Sequence, residues 1–448
     1  MSRQRSVPTS RLGRLSLLGR LAGGIAGGML SEGARQVARG SRPSITDLLL
    51  TPSNVGRIAD RLSEMRGAAM KVGQLLSMDS GDILPPAFSE LLARLREDAH
   101  HMPLGEVARV LERAWGEGWQ QRFQRFHFTP LAAASIGQVH DAQLRDGMRV
   151  AVKIQYPGVQ RSIDSDVDNV ATLLRVARLL PEQYDVTPLL AEAKQQLHLE
   201  ADYRHEAAAM QHFAALLGDD ERFSIPQPLA DLSNAEVLTM SFADGARIES
   251  LQHQPAVIRD AAATALTTLA LREVFDWGMV QTDPNFANYQ FDARTQRIQL
   301  LDFGATRVYP PARRQALRAL LAACVDGSDD DIVRAATTVG YLGADDTPRY
   351  RAVITGLLRM ASEPARHIGA FPFGNSDLVQ RMSDRLVAVR LREPMGRLPP
   401  ADVIFLHRKL GGLYLLLRRL QARVHVRELI SDLLTAETGE LHADSEVS

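Results

Sequence analysis

The sequence of 448 residues has a single cysteine and almost no net charge. One thiol, that of Cys324, excludes an internal disulfide framework and a zinc site built from several cysteines, and it fits a reducing compartment. A formal net charge of -1 provides no overall basic field that would attract nucleic acid. We therefore expect no nucleic-acid partner.

Long apolar runs without charged residues are also lacking, even in the two most apolar segments of the chain. The segment "LLGRLAGGIAGGML" contains Arg20 and many glycines, and it falls short of the roughly 20 apolar residues that a spanning helix needs. Cationic side chains interrupt "VIFLHRKLGGLYLLLRRLQARV" near the other end. This pattern predicts a buried amphipathic helix, not an anchor. With 45% hydrophobic residues, the chain can still bury a large core.

Residues 1–40 form a basic segment in which Glu32 is the only acid. Its seven arginines are Arg3, Arg5, Arg11, Arg14, Arg20, Arg35 and Arg39. Such an arm favours an anionic surface, and we predict that it contacts a membrane. The same composition also occurs in organellar transit peptides, and an ordinary frayed terminus is the third possibility.

A helix is predicted at about residues 54–78, because apolar residues recur there at steps of three and four. Lys71 and Gln74 lie side by side on a second stripe, with Gly73 between them. Glycine within a helix costs about 1 kcal/mol relative to alanine, which is reasonable where a ligand or another backbone comes close. Without further context, Lys71 and Gln74 are better explained as an exposed, solvated face, since lysine is seldom buried.

The periodicity then changes from helical to alternating. Asp146 and Gly147 form a hairpin signal between strands predicted at about residues 136–144 and 148–156. In the second strand, Val150, Val152 and Ile154 point one way and Lys153 points the other. Alone, Lys153 would be an ordinary solvated lysine.

The rest of the chain is chiefly helical, with short strands. Helices are predicted at about residues 160–180, 187–217 and 258–277, and strands at 224–229, 236–242, 289–291 and 297–301. The segment "ADGAR", directly after the strand predicted at 236–242, indicates a hinge. The last two strands make a second hairpin around "DARTQ".

The order of these parts is that of phosphoryl transfer on a kinase-like scaffold. Asp283 and Asn288 are five residues apart, as in a kinase catalytic loop, and Asp302 opens an Asp-Phe-Gly fourteen residues later. Each motif alone arises by chance, but their order around one hairpin makes the signal specific. We assign Lys153 to the phosphates of ATP, Asp283 to the role of base, and Asn288 with Asp302 to Mg2+.

The acid that would hold Lys153 is either Glu200 or Glu206. Six residues of regular helix separate their directions by about 240°, so both cannot point at one lysine. We favour Glu200, and expect Glu206 to meet another cation such as Lys71.

The motifs "KVGQ", "AAAS", "VAVKIQYPG", "LEADYRHEA", "QTDPNFAN" and "LLDFGATR" together resemble the UbiB family of atypical kinases, which includes the AarF-type proteins. The resemblance covers about residues 23–424. It implies an α+β fold, protein-kinase-like and bilobal, with an N-terminal helical extension. The corresponding division is a basic arm at 1–40, the extension at 41–122, an N-lobe at 123–243 and a C-lobe at 244–448.

By the family's motifs, Ala132, Ala133, Ala134 and Ser135 line the nucleotide phosphates in place of a glycine-rich loop. Lys153 and Glu200 form the ion pair, and Asp283, Asn288 and Asp302 serve catalysis and magnesium. The helix with Lys71, Gly73 and Gln74 is implied to pack over the active site, where a peptide substrate would lie.

The resemblance further implies a kinase or ATPase that promotes ubiquinone biosynthesis. ATP and ADP, isoprenoid quinone intermediates, anionic lipids and other coenzyme Q biosynthesis proteins are the expected partners. Bacterial members of the family often end in hydrophobic spanning helices, whereas this chain ends in the polar "TGELHADSEVS". We therefore expect peripheral membrane contact, in the cytoplasm of a bacterium or, alternatively, in a mitochondrion.

Two other functions remain open at this point. A nucleotide-binding, pseudokinase-like scaffold would account for the occluding helix and the alanine loop. A small-molecule phosphotransferase of the aminoglycoside or choline type shares the Asp-x-x-x-x-Asn loop but does not account for "KVGQ" or "AAAS".

Overall fold

The computed structural model describes residues 102–176, 187–392 and 399–443. These residues divide into two compact units, one made of 102–208 with Gln227–Phe242 and the other of Ala209–Pro226 with 243–443. The predicted arm, and the helix that carries Lys71, Gly73 and Gln74, lie outside the described residues.

In chain order, the first elements are α1 (Leu104–Trp115), β1 (Phe123–Phe126), β2 (Ala132–Ala133), β3 (Gly137–Leu144), β4 (Arg149–Gln155), α2 (Val159–Val176), α3 (Thr187–Glu200), α4 (Tyr203–Leu217), β5 (Phe223–Ser224) and β6 (Val237–Ser241). Next come β7 (Ala246–Arg247), α5 (Ala256–Leu271), β8 (Met279–Gln281), β9 (Tyr289–Asp292), β10 (Arg297–Leu300) and β11 (Thr306–Val308). The last are α6 (Pro311–Asp326), α7 (Asp329–Val339), α8 (Pro348–Ala361), α9 (Glu363–Arg366), β12 (Phe371–Pro372), α10 (Leu378–Arg392), α11 (Ala401–Arg419), β13 (Arg423–Val424) and α12 (Val426–Ala443).

The first unit is built on an antiparallel sheet in the order β1-β3-β4-β6. Strand β2 pairs with β3 on the same edge as β1, at the other end of that strand. The hairpin between β3 and β4 is confirmed: Gly147 adopts a φ of 91°, and the Asp146 carboxylate accepts a hydrogen bond from the N–H of Met148 at 2.9 Å. Val150, Val152 and Ile154 are fully buried against α1 and its neighbours. The alternation of β4 therefore leaves Lys153 on the opposite face, as predicted.

The predicted helix at 187–217 is wrong in one respect. The chain leaves α3 at Glu200, passes through Ala201 and Asp202, and starts α4 at Tyr203. The Asp202 carboxylate accepts a hydrogen bond from the N–H of Arg204 at 3.0 Å, so a side chain supplies the acceptor that a continuous helix would have provided. This break changes the direction of every side chain that follows.

The second unit is largely helical, with a sheet in the order β5-β10-β9-β7 and two short strand pairs, β11-β8 and β12-β13. The predicted hairpin is confirmed and consists of β9 and β10. Tyr289 pairs with Leu300 at its open end, and Asp292 pairs with Arg297 next to the turn. The predicted strand at 224–229 is reduced to β5, since Pro226 and Pro228 have no N–H to donate. The predicted helix at 258–277 consists of α5 and a turn of π-helix, Arg272–Trp277.

Helix α11 is the amphipathic helix predicted near the carboxyl end, and Val403, Ile404 and Leu416 are buried. Within the three described ranges, no helix combines the length and the apolar character that crossing a bilayer requires.

The buried thiol of Cys324 on α6 provides a test of the second unit's core. Burial raises its pKa to about 11, so only about a thousandth of it is thiolate at pH 8, against roughly a quarter at the ordinary pKa. We expect iodoacetamide to label the native protein at least about 100-fold more slowly than the urea-unfolded chain. A Cys324→Ala variant controls for labelling elsewhere, and native and unfolded rates within tenfold of each other would contradict the packing.

Candidate active site

Lys153 and Glu206 form a buried ion pair in the first unit. The Lys153 ammonium donates to Oε1 and Oε2 of Glu206, both at 2.8 Å, and the two side chains are 9% and 1% exposed. The ammonium also lies 5.2 Å from the ring centroid of Tyr203. A carboxylate at this distance offsets the cost of removing a lysine's charge from water.

The sequence-based choice of Glu200 over Glu206 is therefore wrong. It assumed one regular helix through both glutamates, whereas the break at Ala201 and Asp202 starts a new helix. Glu206 lies in the first turn of α4 and reaches the sheet face that carries Lys153.

Glu200 instead contacts the alanine loop. The hydroxyl of Ser135 donates to Glu200 Oε2 at 3.2 Å, which ties the tip of the β2-β3 connection to the end of α3. The N–H of Ala134 closes this tip by donating to the carbonyl of Gly137 at 2.8 Å. Gly137 is required there, because a Cβ atom would lie 2.3 Å from the carbonyl oxygen of Ile154. The candidate phosphate loop is thus a tight, fastened turn.

Ala132 and Ala133 lie just before this turn. They form β2, paired with β3 at Val139 and Gln138, and both are exposed. Their exposure leaves this edge of the loop accessible to a ligand.

In the second unit, backbone hydrogen bonds join the two candidate motifs at both ends. At one end, Thr282 donates its N–H at 3.1 Å and its hydroxyl at 2.7 Å to the carbonyl of Ala305. At the other end, the N–H of Leu301 donates to the carbonyl of Asn288 at 3.0 Å. The strand pairs β8-β11 and β9-β10 continue these contacts outwards. Residues 283–287 and 302–304 therefore form the two sides of one closed ring.

Asp283 has an organised environment inside this ring. Its Oδ2 accepts a hydrogen bond from Nδ2 of Asn288 at 3.2 Å. Its Oδ1 is buried and accepts no hydrogen bond from the described residues, while Nη2 of the buried Arg408 lies 3.9 Å away. An oriented carboxylate oxygen of this kind is suited to accept a proton.

Asp302 begins the Asp-Phe-Gly turn. Its Oδ1 accepts a hydrogen bond from the N–H of Gly304 at 3.0 Å, which fixes the carboxylate over the turn. Phe303 is 1% exposed and packs on Phe213, with 4.9 Å between the ring centroids. The apolar anchor holds the turn and leaves Asp302 partly accessible.

The donor set fits magnesium with a nucleotide. Mg2+ prefers oxygen ligands and is usually held by one or two carboxylates, with phosphates and water completing its shell. The bond from Asn288 to Asp283 uses the amide nitrogen and turns the amide oxygen elsewhere, so that oxygen can ligate a cation. In the second unit, Asn288 and Asp302 carry oxygens of the kind that Mg2+ prefers. In the first unit, Lys153 carries a cation of the kind that binds phosphate.

Two residues of α11 that lie beside this ring were not predicted from the sequence. Arg408 approaches Asp283 as described, and Gly412 lies against Pro284, where a Cβ atom would come within 2.2 Å of the proline Cβ. A helical glycine that costs about 1 kcal/mol was the available signal, as it was for Gly73. The amphipathic pattern of this helix does not show which of its cations is buried, and Arg408 is fully buried.

Comparisons with known proteins identify the family of this chain. The model of the family described as "ABC1 atypical kinase-like domain" matches residues 94–336. The chain is 36% identical over 436 residues to "Atypical kinase COQ8, mitochondrial" of Saccharomyces cerevisiae, covering 96% of this chain and 85% of that protein. It is 37% identical over 438 residues to "Atypical kinase COQ8B, mitochondrial" of Rattus norvegicus, covering 96% and 82%.

Among solved structures, the chain is similar to Rv3197 of Mycobacterium tuberculosis, solved in complex with erythromycin. The TM-score is 0.58 at 27% identity, and the match covers 85% of this chain and 95% of that one. The resemblance found in the motifs is confirmed, as is a kinase-like fold of mixed α and β structure.

The pairing of Glu206 with Lys153 can be tested by stability. We expect Glu206→Gln to lower the free energy of unfolding by about 3 to 5 kcal/mol, because it leaves a buried ammonium without its counter-charge. Glu236→Gln is the matched control, since it breaks an exposed pair with Arg113 in the same unit and should cost about 1 kcal/mol or less. Urea unfolding measures both, and equal effects would argue against the buried pair.

Proposed function

The chain belongs to the ABC1 atypical kinase-like family, and from this we propose an atypical kinase or ATPase that binds ATP with magnesium and promotes ubiquinone (coenzyme Q) biosynthesis at a membrane surface. The observation that carries the proposal is the pairing of Lys153 with both carboxylate oxygens of Glu206. A lysine on a small antiparallel sheet, oriented by a helix glutamate, is the cation that kinases present to the phosphates of ATP.

Each side chain then has a role set by its contacts. Lys153 binds phosphate, and the loop from Ala132 to Ser135 lines the phosphates in the position that Ser135 and Glu200 maintain. Asn288 and Asp302 would hold magnesium, which would neutralise charge on the phosphate oxygens.

Asp283 is the base of the proposed reaction. Its carboxylate accepts the proton of the attacking hydroxyl or water, and the hydrogen bond from Asn288 to Oδ2 orients it. The acceptor of the phosphoryl group is an isoprenoid quinone intermediate or water.

The same proposal places the protein at a membrane through peripheral contact. Anionic lipids attract the seven arginines of residues 1–40, which the described ranges do not include. Other proteins of coenzyme Q biosynthesis are the proposed partners. The relatives from yeast and rat are mitochondrial by name, and either that compartment or the cytoplasmic side of a bacterial membrane suits the chain.

A scaffold without turnover is less well supported. Asp283, Asn288 and Asp302 are all present and held in one ring, and pure nucleotide binding does not require an oriented base. Phosphorylation of an aminoglycoside or choline in a substrate panel would favour the small-molecule phosphotransferase.

Asp302→Asn tests the catalytic proposal. We expect magnesium-dependent ATP hydrolysis to rise with anionic lipid vesicles in the parent protein and to fall by about 100-fold or more in the variant, since a metal ligand is lost. Asp329→Asn on α7, which removes an exposed carboxylate paired with Arg359, is the matched control and should hydrolyse ATP normally.

Thermal melting separates binding from turnover in the same proteins. The stabilisation by Mg-ADP should shrink in Asp302→Asn and persist in Asp329→Asn. Tight nucleotide binding without hydrolysis in the parent would support the scaffold. An unchanged melting shift in Asp302→Asn would contradict the proposed role of Asp302 as a metal ligand.

Ala132→Gly tests the alanine loop. Glycine adds conformational freedom worth about 0.5 to 1 kcal/mol, so the ratio of ATP to ADP affinity should change about two- to fivefold. Ala246→Gly, at an exposed position of β7, is the control. Calorimetric titration measures both affinities, and identical ratios in all three proteins would count against a role for the alanines.

A further inference from the structure

Glu273 and Lys409 form an ion pair in the second unit that the proposed chemistry does not use. The Lys409 ammonium lies 3.0 Å from Oε1 and 2.9 Å from Oε2 of Glu273, and the two side chains are 5% and 2% exposed. Burial by itself would lower the pKa of Lys409, but the attraction of Glu273 and Tyr289 outweighs it and raises that pKa. The lysine therefore stays protonated inside the protein.

This pair contacts both ends of the loop that carries the candidate catalytic residues. Oε2 of Glu273 accepts a hydrogen bond from the backbone N–H of Gln281 at 3.1 Å, immediately before the loop. The Lys409 ammonium donates to the hydroxyl of Tyr289 at 3.4 Å, immediately after it. The segment from Gln281 to Tyr289 is thus hydrogen-bonded to one ion pair at both of its ends.

Stability alone does not explain such a pair. Replacing a buried ion pair by apolar side chains of similar size is often neutral or stabilising, so its presence indicates a requirement for a defined position. Glu273 lies in the turn of π-helix, Arg272–Trp277, and single π turns occur frequently at functional sites.

The helix that carries Lys409 touches the loop at further points. Arg408 lies 3.9 Å from Oδ1 of Asp283, and Gly412 lies against Pro284. The void that Lys409, Gly412 and Pro284 line with their apolar neighbours has a volume of about 10 Å³, room for about one water. The loop is therefore seated closely on α11.

The geometry points to the Glu273–Lys409 pair as the positioning device of the catalytic loop, which fastens both loop ends and so places Asp283 and Asn288. This inference rests on the proposed function and deepens it. Neither residue of the pair is assigned contact with the nucleotide; both act through the loop.

The double variant Glu273→Leu/Lys409→Met tests this role, because it replaces both partners and leaves no buried charge uncompensated. We expect kcat for ATP hydrolysis to fall about 10- to 100-fold, as for a catalytic group displaced by about 1 Å, with the KM for ATP within about threefold of the parent. Arg313→Met/Asp402→Asn removes another ion pair between α6 and α11 and is the structural control, expected to keep the parental kcat.

Tyr289→Phe provides a second, milder variant that keeps the ion pair. It removes only the hydroxyl that Lys409 contacts, and we expect a two- to tenfold fall in kcat. In the double-variant background the same change should have no further effect, because the contact has already been lost. A merely structural tyrosine would instead give the same factor in both backgrounds.

Amide hydrogen exchange tests the inference without relying on activity. Exchange in residues 281–289 should accelerate in the double variant while α7 and α8 keep their parental rates. Parental kcat together with parental exchange in this segment would overturn the inference. Failure of the parent to bind Mg-ADP or hydrolyse ATP would refute the proposed function, and the exchange result would still decide whether the pair holds the loop.

Discussion

A charged lysine withdrawn from water needs a carboxylate beside it, and this constraint acts in each of the two units. In the first unit it requires α4 to bring Glu206 to the face of β4, and the break before α4 makes that possible. In the second unit it joins Glu273 to Lys409 beneath the loop of Asp283. Separating either lysine from its carboxylate would leave a positive charge buried without a partner. Movement of the backbone that carries Glu206 or Glu273 is therefore costly.

The loop from Ala132 to Ser135 has alanines where protein kinases have a glycine-rich loop. The turn after Ala132 is closed by a backbone bond from Ala134 to Gly137 and fastened by the contact of Ser135 with Glu200. Alanine restricts the backbone more than glycine does. If this turn lines the phosphates, as we propose, its restricted backbone favours fewer phosphate arrangements than a glycine-rich loop does.

The spacing of Asp283, Asn288 and Asp302 follows from the ring that encloses them. Hydrogen bonds from Thr282 to Ala305 and from Leu301 to Asn288 close it at both ends. Only a short loop and a short turn remain between these closures, and three oxygen-bearing side chains are confined to a small region. Such confinement is how a site obtains oriented ligands without a dedicated metal cage.

The sequence by itself determined the chemical groups, their order and the local elements: the alternation of β4, both hairpins and the Asp283–Asn288 spacing depend on neighbouring residues only. The tertiary structure decided which glutamate meets Lys153, because a two-residue break at Ala201 and Asp202 redirects α4. It also decided that Arg408 and Lys409 are buried, since their partners Asp283 and Glu273 lie more than a hundred residues away. Periodicity reports a residue's own helix or strand, whereas burial and pairing depend on which elements meet.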